Sequence, residues 1–165
     1  MDIVRCPTPY YLWVPDICRR IVTAGVPDVV WFIIGYGPDE QLIRQKIDQE
    51  GMQNNVVLLG KRTNPYPFIK ACDIYVQPSR YEGNSMTVRE AQILCKPVVV
   101  TAYPTAESQI KDGIDGIIVP MDNQACAEGI ADLIKNPAKQ KELSDYLHEH
   151  DYGNENAVEK FYELA

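Results

Sequence analysis

Two carboxylates, Glu82 and Glu90, stand on either side of the turn-forming run Gly83-Asn84-Ser85. A carboxylate accepts two hydrogen bonds at once, so such a pair suits a polyol such as ribose or a hexose. The alternative is a pair of solvated surface charges. Local context decides how much weight the first reading bears. Ile74-Tyr75-Val76 is an apolar run of the kind that makes a buried strand. After the turn signals Pro78-Ser79 and Glu82-Gly83-Asn84-Ser85, the residues Val88, Ala91, Leu94 and Cys95 recur at helical spacing. A strand, a tight loop and a helix therefore meet at residues 83–85. That meeting aims backbone N–H groups and the positive end of a helix dipole at one spot, where phosphate or another anion is favoured. With Ser85 as the cap, Glu90 lies about one and a half turns into the helix, ~7 Å along its axis.

The elements around this loop alternate. Val29-Val30-Trp31-Phe32-Ile33-Ile34 is a continuous apolar run, as expected of a parallel strand buried on both faces. Gly35-Tyr36-Gly37 follows at once and permits close backbone approach, although a plain turn explains it equally. A helix is expected over 39–50 with Leu42, Ile43 and Ile47 inward, then a strand over Val56-Val57-Leu58-Leu59 closed by Gly60. Asn64-Pro65-Tyr66-Pro67 leads into a short helix through Phe68, Ile69 and Ala71. Beyond the central helix come strands at Val98-Val99-Val100-Thr101 and Ile117-Ile118-Val119, with a short helical piece near 108–111 between them. Asp122 is placed to cap a helix carrying Cys126, Ile130, Leu133 and Ile134 on one stripe. Residues 137–165 form a charged, amphipathic C-terminal helical segment. The opening 1–15 is atypical: Pro7, Pro9 and Pro15 interrupt it, Tyr10-Tyr11-Leu12-Trp13 is apolar without a pattern, and Ile3-Val4 reads only as the end of a strand. The expectation is one α/β domain over 1–165, a three-layer α/β/α sandwich with a mostly parallel sheet. Ligands of such sheets sit at the carboxyl ends of the strands, where the loops after Ile34, Leu59, Val76 and Val100 fall.

Composition narrows the function further. With 165 residues and 45% hydrophobic content the chain can bury a sizeable core. Sixteen basic against 23 acidic residues give a net charge of −7, which argues against nucleic acid. No apolar run is long enough to span a membrane, and Met1-Asp2-Ile3-Val4-Arg5 has no signal-peptide character. The five cysteines are scattered without a C-x-x-C pair. Cys18, Cys72, Cys95 and Cys126 lie in apolar segments and read as buried free thiols, which fits a reducing cytoplasm. His148 and His150 belong to the charged C-terminal stretch. With no His or Cys cluster and no Asp-x-Asp, no metal or other cofactor is expected.

Taken in order, these features resemble the C-terminal, donor-binding domain of the retaining GT-B glycosyltransferases that use nucleotide-sugars, the group 1 family. The resemblance covers roughly residues 18–140. It rests on Ile33-Ile34-Gly35-Tyr36-Gly37-Pro38, Val57-Leu58-Leu59-Gly60, Ala71-Cys72-Asp73-Ile74-Tyr75-Val76-Gln77-Pro78-Ser79, Tyr81-Glu82-Gly83 through Glu90-Ala91, Lys96-Pro97-Val98-Val99-Val100-Thr101, and Asp112-Gly113-Ile114-Asp115-Gly116-Ile117-Ile118-Val119-Pro120. The family's E-x7-E motif falls on Glu82 and Glu90. The resemblance implies that the sheet is one half of a GT-B fold, with Glu82 beside the transferred sugar. It places the amides of Gly83, Asn84, Ser85 and Met86 on sugar hydroxyls and the distal phosphate. Glu90 would then hold the ribose hydroxyls, with Gly35, Lys61 and Arg62 around the nucleotide. Arg62 reads equally as a solvated loop charge.

Two departures stand out. Relatives carry Gly-Arg and then Lys-Gly near the first strand, a pair that neutralises the pyrophosphate. Here Arg5 is the only nearby candidate for that phosphate contact, and the usual Gly-Phe-Gly after the first Glu reads Gly83-Asn84-Ser85. The resemblance implies hexosyl transfer from a nucleotide-sugar to a polysaccharide or lipid-linked acceptor, inside the cytoplasm or peripherally at the inner face of the membrane. A GT-B active site lies between two domains, so the N-terminal acceptor domain is the expected missing partner, through which any membrane contact would run. Without it the chain is expected to bind donor weakly and to catalyse nothing. A related GT-B nucleotide-sugar epimerase and a non-catalytic α/β interaction module with a degenerate donor site remain the alternatives. A phosphorylase would need a lysine for pyridoxal phosphate, and no motif supplies one.

Overall fold

The computed structural model describes the backbone of residues 2–5 and 10–153, with side chains from residue 12 onward. Six strands form one parallel sheet: β1 (Asp2–Arg5), β2 (Trp31–Ile34), β3 (Val56–Gly60), β4 (Ile74–Gln77), β5 (Val98–Thr101) and β6 (Ile117–Val119). Their spatial order is β3-β2-β1-β4-β5-β6. Seven α-helices connect or follow them: α1 (Val14–Thr23), α2 (Glu40–Glu50), α3 (Tyr66–Ala71), α4 (Met86–Ile93), α5 (Ala106–Gln109), α6 (Asn123–Ile134) and α7 (Pro137–Glu149). The chain leaves β1 toward β2 on one side, and β4 continues on the other. Strand order therefore reverses between β1 and β4, the position at which doubly wound sheets take ligands.

The expected three layers are present, with a separate core on each face of the sheet. Ile74, Val76 and Val99 face one core, which collects Ile17, Ile21, Ile43, Ile130 and Leu143 from α1, α2, α6 and α7. Tyr75, Val98 and Val100 face the other, with Ile69, Val88, Ala91, Ala106 and Ile110. Burying each such side chain contributes about 1.5–3 kcal/mol, so the strands are held chiefly through both faces at once.

Several boundaries correct the sequence reading. Ile3-Val4 is not a strand end but lies within β1, a central strand flanked by β2 and β4. Helix α1 starts at Val14, inside the opening read as interrupted, with Pro15 in its first turn, where a missing N–H removes no helix bond. A 3-10 turn at Tyr10–Trp13 feeds directly into it. Leu12 and Trp13 are partly buried and pack against the first core. The remaining expectations for residues 6–9, including Cys6, Pro7 and Pro9, and for residues 154–165 lie outside the described residues.

Leu42 is exposed while Ile43 and Ile47 are buried, because residues 43 and 47 share a helix face that residue 42 does not. Cys18, Cys72 and Cys126 are buried as expected, and burial pushes the Cys126 thiol up to about 12. Cys95 instead is half-exposed just past α4. Gly25 follows α1 at φ +91° and stops it, donating its N–H to the Val22 carbonyl. The Asp122 carboxylate caps α6 through the N–H groups of Gln124 and Ala125, at 2.9 and 3.0 Å.

Candidate functional site

The loops after β2, β3 and β4 open at the carboxyl edge of the sheet. Gly60 closes β3 at φ +69°, and its carbonyl accepts the Gly35 N–H at 3.1 Å. A register shift opposite Ile34 accompanies this bend. Glycine is needed at residue 60 because an L side chain is strained there. The bend makes a shallow depression floored by Ile33, Ile43 and Leu58 and walled by Gly35, Tyr36 and Gly37. The Lys61 ammonium lies 4.8 Å from the Tyr36 ring centre, and the Arg62 guanidinium 5.6 Å from that of Phe68. Glu40 also lines the depression; its apolar floor and the Tyr36 ring, with Lys61 against that ring, offer a surface for a planar heterocycle.

The loop between β4 and α4 holds the two carboxylates. Glu82 is half-buried, and its Oε1 accepts from Gln77 Nε2 and from Ser79 Oγ, each at 2.8 Å. Glu90, the fifth residue of α4, accepts from the Tyr66 hydroxyl at 3.3 Å. Gly83 and Asn84 are exposed, whereas Ser85 is buried. Ser85 occupies the N-cap position of α4, but its side chain makes no capping bond and meets Thr87 Oγ1 at 3.1 Å instead. Its N–H is given to Gln109 Oε1 at 3.1 Å, and Gln109 Nε2 donates back to the Ser85 carbonyl at 2.6 Å. Of the four amides read as ligand donors, the one at Ser85 is thus committed within the protein.

Sequence reasoning missed what fixes this loop. Thr101 Oγ1 donates to the Ser79 carbonyl. Thr105 Oγ1 lies 2.7 and 2.8 Å from the carbonyls of Glu82 and Gly83 and shares one proton between them. Together with Gln109, these side chains tie loop 79–85 to the segment 101–109 through its own backbone. Nothing in their spacing marks them, since Ser, Thr and Gln are ordinary loop residues. Gln77 did carry a signal, as a polar residue closing a strand whose every position is buried.

Arg80 was also missed; its guanidinium stacks 3.6 Å from the Trp13 ring centre and places a cation at the same edge. Arg5 closes β1 in register with Ile34, which brings its backbone to the edge, while its side chain lies outside the described residues. His148 and His150 are exposed on or beside α7; His148 Nδ1 lies 4.0 Å from Cys95 Sγ, and His150 lines a hollow with Arg89 and Gln109. Among the described residues, no three His, Cys, Asp or Glu side chains converge as a metal-binding group. Nor is any helix among them long and apolar enough to cross a membrane.

A model of the family described as glycosyl transferases group 1 matches residues 15–150. The poly(glycerol-phosphate) alpha-glucosyltransferase of Bacillus subtilis is 28% identical over 127 residues, covering 76% of this chain and 19% of that protein. The poly(ribitol-phosphate) alpha-N-acetylglucosaminyltransferase of Staphylococcus aureus is 28% identical over 141 residues, covering 82% and 29%. Among solved structures, a TarM mutant of S. aureus in complex with fondaparinux, alpha-GlcNAc-glycerol and UDP matches with a TM-score of 0.85 at 25% identity, over 98% of this chain and 35% of its own. The pneumococcal O-GlcNAc transferase GtfA in complex with UDP and GlcNAc matches with a TM-score of 0.87 at 19% identity, over 99% and 34%, which is a likeness of fold alone. The chain thus spans between 19% and 35% of the length of these relatives.

Proposed function

Because the chain belongs to the group 1 glycosyl transferases, we propose that its sheet edge is the nucleotide-sugar site of a retaining hexosyltransferase. The observation that carries this is the placement of the E-x7-E pair. Glu82 sits in the loop at the carboxyl edge and Glu90 in α4 behind it, both held in hydrogen bonds. On this reading Glu90 takes the ribose hydroxyls, and the depression beside Gly35, Lys61 and Arg62 takes the base. The amides of Gly83, Asn84 and Met86 face the diphosphate and sugar with the positive end of α4. Glu82 lies against the transferred sugar, and Arg5 is the proposed cation of the β1 end.

Breaking the glycosidic bond puts negative charge on the leaving diphosphate. Fixed N–H donors and a helix terminus stabilise that charge without having to reorganise. The reaction is glycosyl transfer with retention to a polysaccharide or lipid-linked acceptor held by a separate N-terminal domain, and it needs no metal. Poly(glycerol-phosphate) and poly(ribitol-phosphate) glycosyltransferases among the relatives support an anionic polymer as one class of acceptor.

Calorimetric titration with UDP, the nucleotide in the TarM and GtfA complexes, tests the site. Glu90→Ala is expected to weaken UDP by about 1–3 kcal/mol, the loss of charge-assisted hydrogen bonds. Excess chelator should leave the affinity unchanged. Equal affinities for the two proteins, or indifference to removal of the ribose hydroxyls, would sink the assignment.

A further inference from the structure

Gln77 is the last residue of β4 and has no exposed surface. A buried amide is costly unless it is bonded at both ends, and this one is. Its Oε1 accepts from the Tyr75 hydroxyl at 2.9 Å, with Thr87 Oγ1 farther off at 3.5 Å. Its Nε2 donates to Ser79 Oγ at 3.1 Å and to Glu82 Oε1 at 2.8 Å. The Glu82 carboxylate settles which way the amide faces: ionised, it only accepts, so Nε2 must turn to it and Oε1 to the buried Tyr75 hydroxyl. Ser79, also without exposed surface, donates to the same carboxylate oxygen.

We propose that Gln77 is a positioning residue for the sugar-facing carboxylate. The buried relay Tyr75–Gln77–Glu82 holds one oxygen of Glu82 against the protein and so fixes the plane the carboxylate presents to the donor sugar. The proposal rests on the reading of Glu82 as the residue beside the transferred sugar. Two donors on one oxygen leave the carboxylate little freedom to rotate. Losing the amide donor while Ser79 still donates loosens the carboxylate without removing its charge.

The test compares UDP with UDP-glucose as probes on the whole chain, because a residue acting through Glu82 changes only the sugar's contribution. Gln77→Met, close in size but without a donor, is expected to weaken UDP-glucose on the order of tenfold and to leave UDP unchanged. Glu82→Gln should show the same selectivity, and the double variant should bind UDP-glucose no worse than Glu82→Gln alone. Tyr75→Phe removes only the hydroxyl bonded to the amide oxygen. It should give a smaller loss of the same selective kind, and it serves as the readout if Gln77→Met does not fold. Equal weakening of both probes, additive losses in the double variant, or no change in either probe would overturn the relay. If Glu82→Gln itself leaves UDP-glucose binding intact, the role of Glu82 falls, and the relay with it. A selective loss in Glu82→Gln with none in Gln77→Met removes only the relay.

Discussion

Two buried glutamines show how much a residue's role depends on what lies opposite it. Gln77 bonds through both ends of its amide, whereas Gln92, on α4 and equally buried, has no hydrogen-bond partner at Nε2 or Oε1. An amide taken out of water and left unpaired costs about 1–3 kcal/mol. Gln92→Met, similar in volume and apolar, is therefore expected to stabilise the chain by roughly that amount, measured as a rise in the urea midpoint at unchanged slope. A fall in the midpoint would mean that the amide is serving a contact of its own. The sequence could not show this difference, because whether a buried amide finds a partner depends on side chains brought up by the fold. Glu82 and Glu90 were legible, since the turn signals between them place one in a loop and the other in a helix. Cys95 was not. It sits at φ +54° directly after α4, with its N–H on the Gln92 carbonyl, in a left-handed position that helical spacing does not reveal.

At the scale of elements, one carboxylate braces α1 and helps tie it to α6. Asp16 accepts from Arg19 at 2.5 Å, from Arg20 at 2.9 Å and, across to α6, from Asn123 at 2.8 Å. Burial pulls the Asp16 carboxyl upward, but the hydrogen bonds from Arg20, Asn123 and Arg19 outweigh it and hold the group below the usual carboxylate range. A carboxyl with a lowered folded-state pKa contributes stability above its unfolded value and loses it as pH falls through the folded one. Asp16→Asn is accordingly expected to cost about 1–3 kcal/mol near neutral pH. The gap should close as the pH falls below the usual carboxylate range and acid protonates Asp16 in the parent. Urea unfolding of both proteins across that range decides it, and a gap independent of pH would place the effect in packing rather than charge.

Elements with strong periodicity, such as α2, α6, β2 and β5, were readable because each has one or two buried faces of fixed period. β1 was not, since Asp2-Ile3-Val4-Arg5 is too short to show a period and is identified only by the strands that flank it. The ties from Thr105 and Gln109 to loop 79–85 span 22 to 24 positions, and no local pattern encodes a partner that far away.

For the whole molecule, the decisive fact is how open the edge is. Tyr36, Tyr81 and Met86, all in or beside the loops of the proposed site, are 67, 69 and 65% exposed. Transfer of a glycosyl group to a chosen acceptor requires water to be excluded and the acceptor to be held within reach of the sugar. Nothing among the described residues covers the edge from above. The net charge of −7 means that a nucleoside diphosphate is drawn in by local donors and not by the field of the molecule. Binding and turnover should therefore separate in this chain. UDP-glucose is expected to bind at the site yet not to be consumed, whether or not a sugar or polyol-phosphate acceptor is added. The measurement is UDP release over hours in a coupled assay, run with chelator and with Glu82→Gln beside the parent chain. Sustained release that Glu82→Gln abolishes would show that this one sheet edge carries a complete active site and that the separate acceptor domain is unnecessary. Binding without release would leave the edge as one wall of a cleft, with the exposed aromatic and methionine side chains as the surface on which the other wall rests.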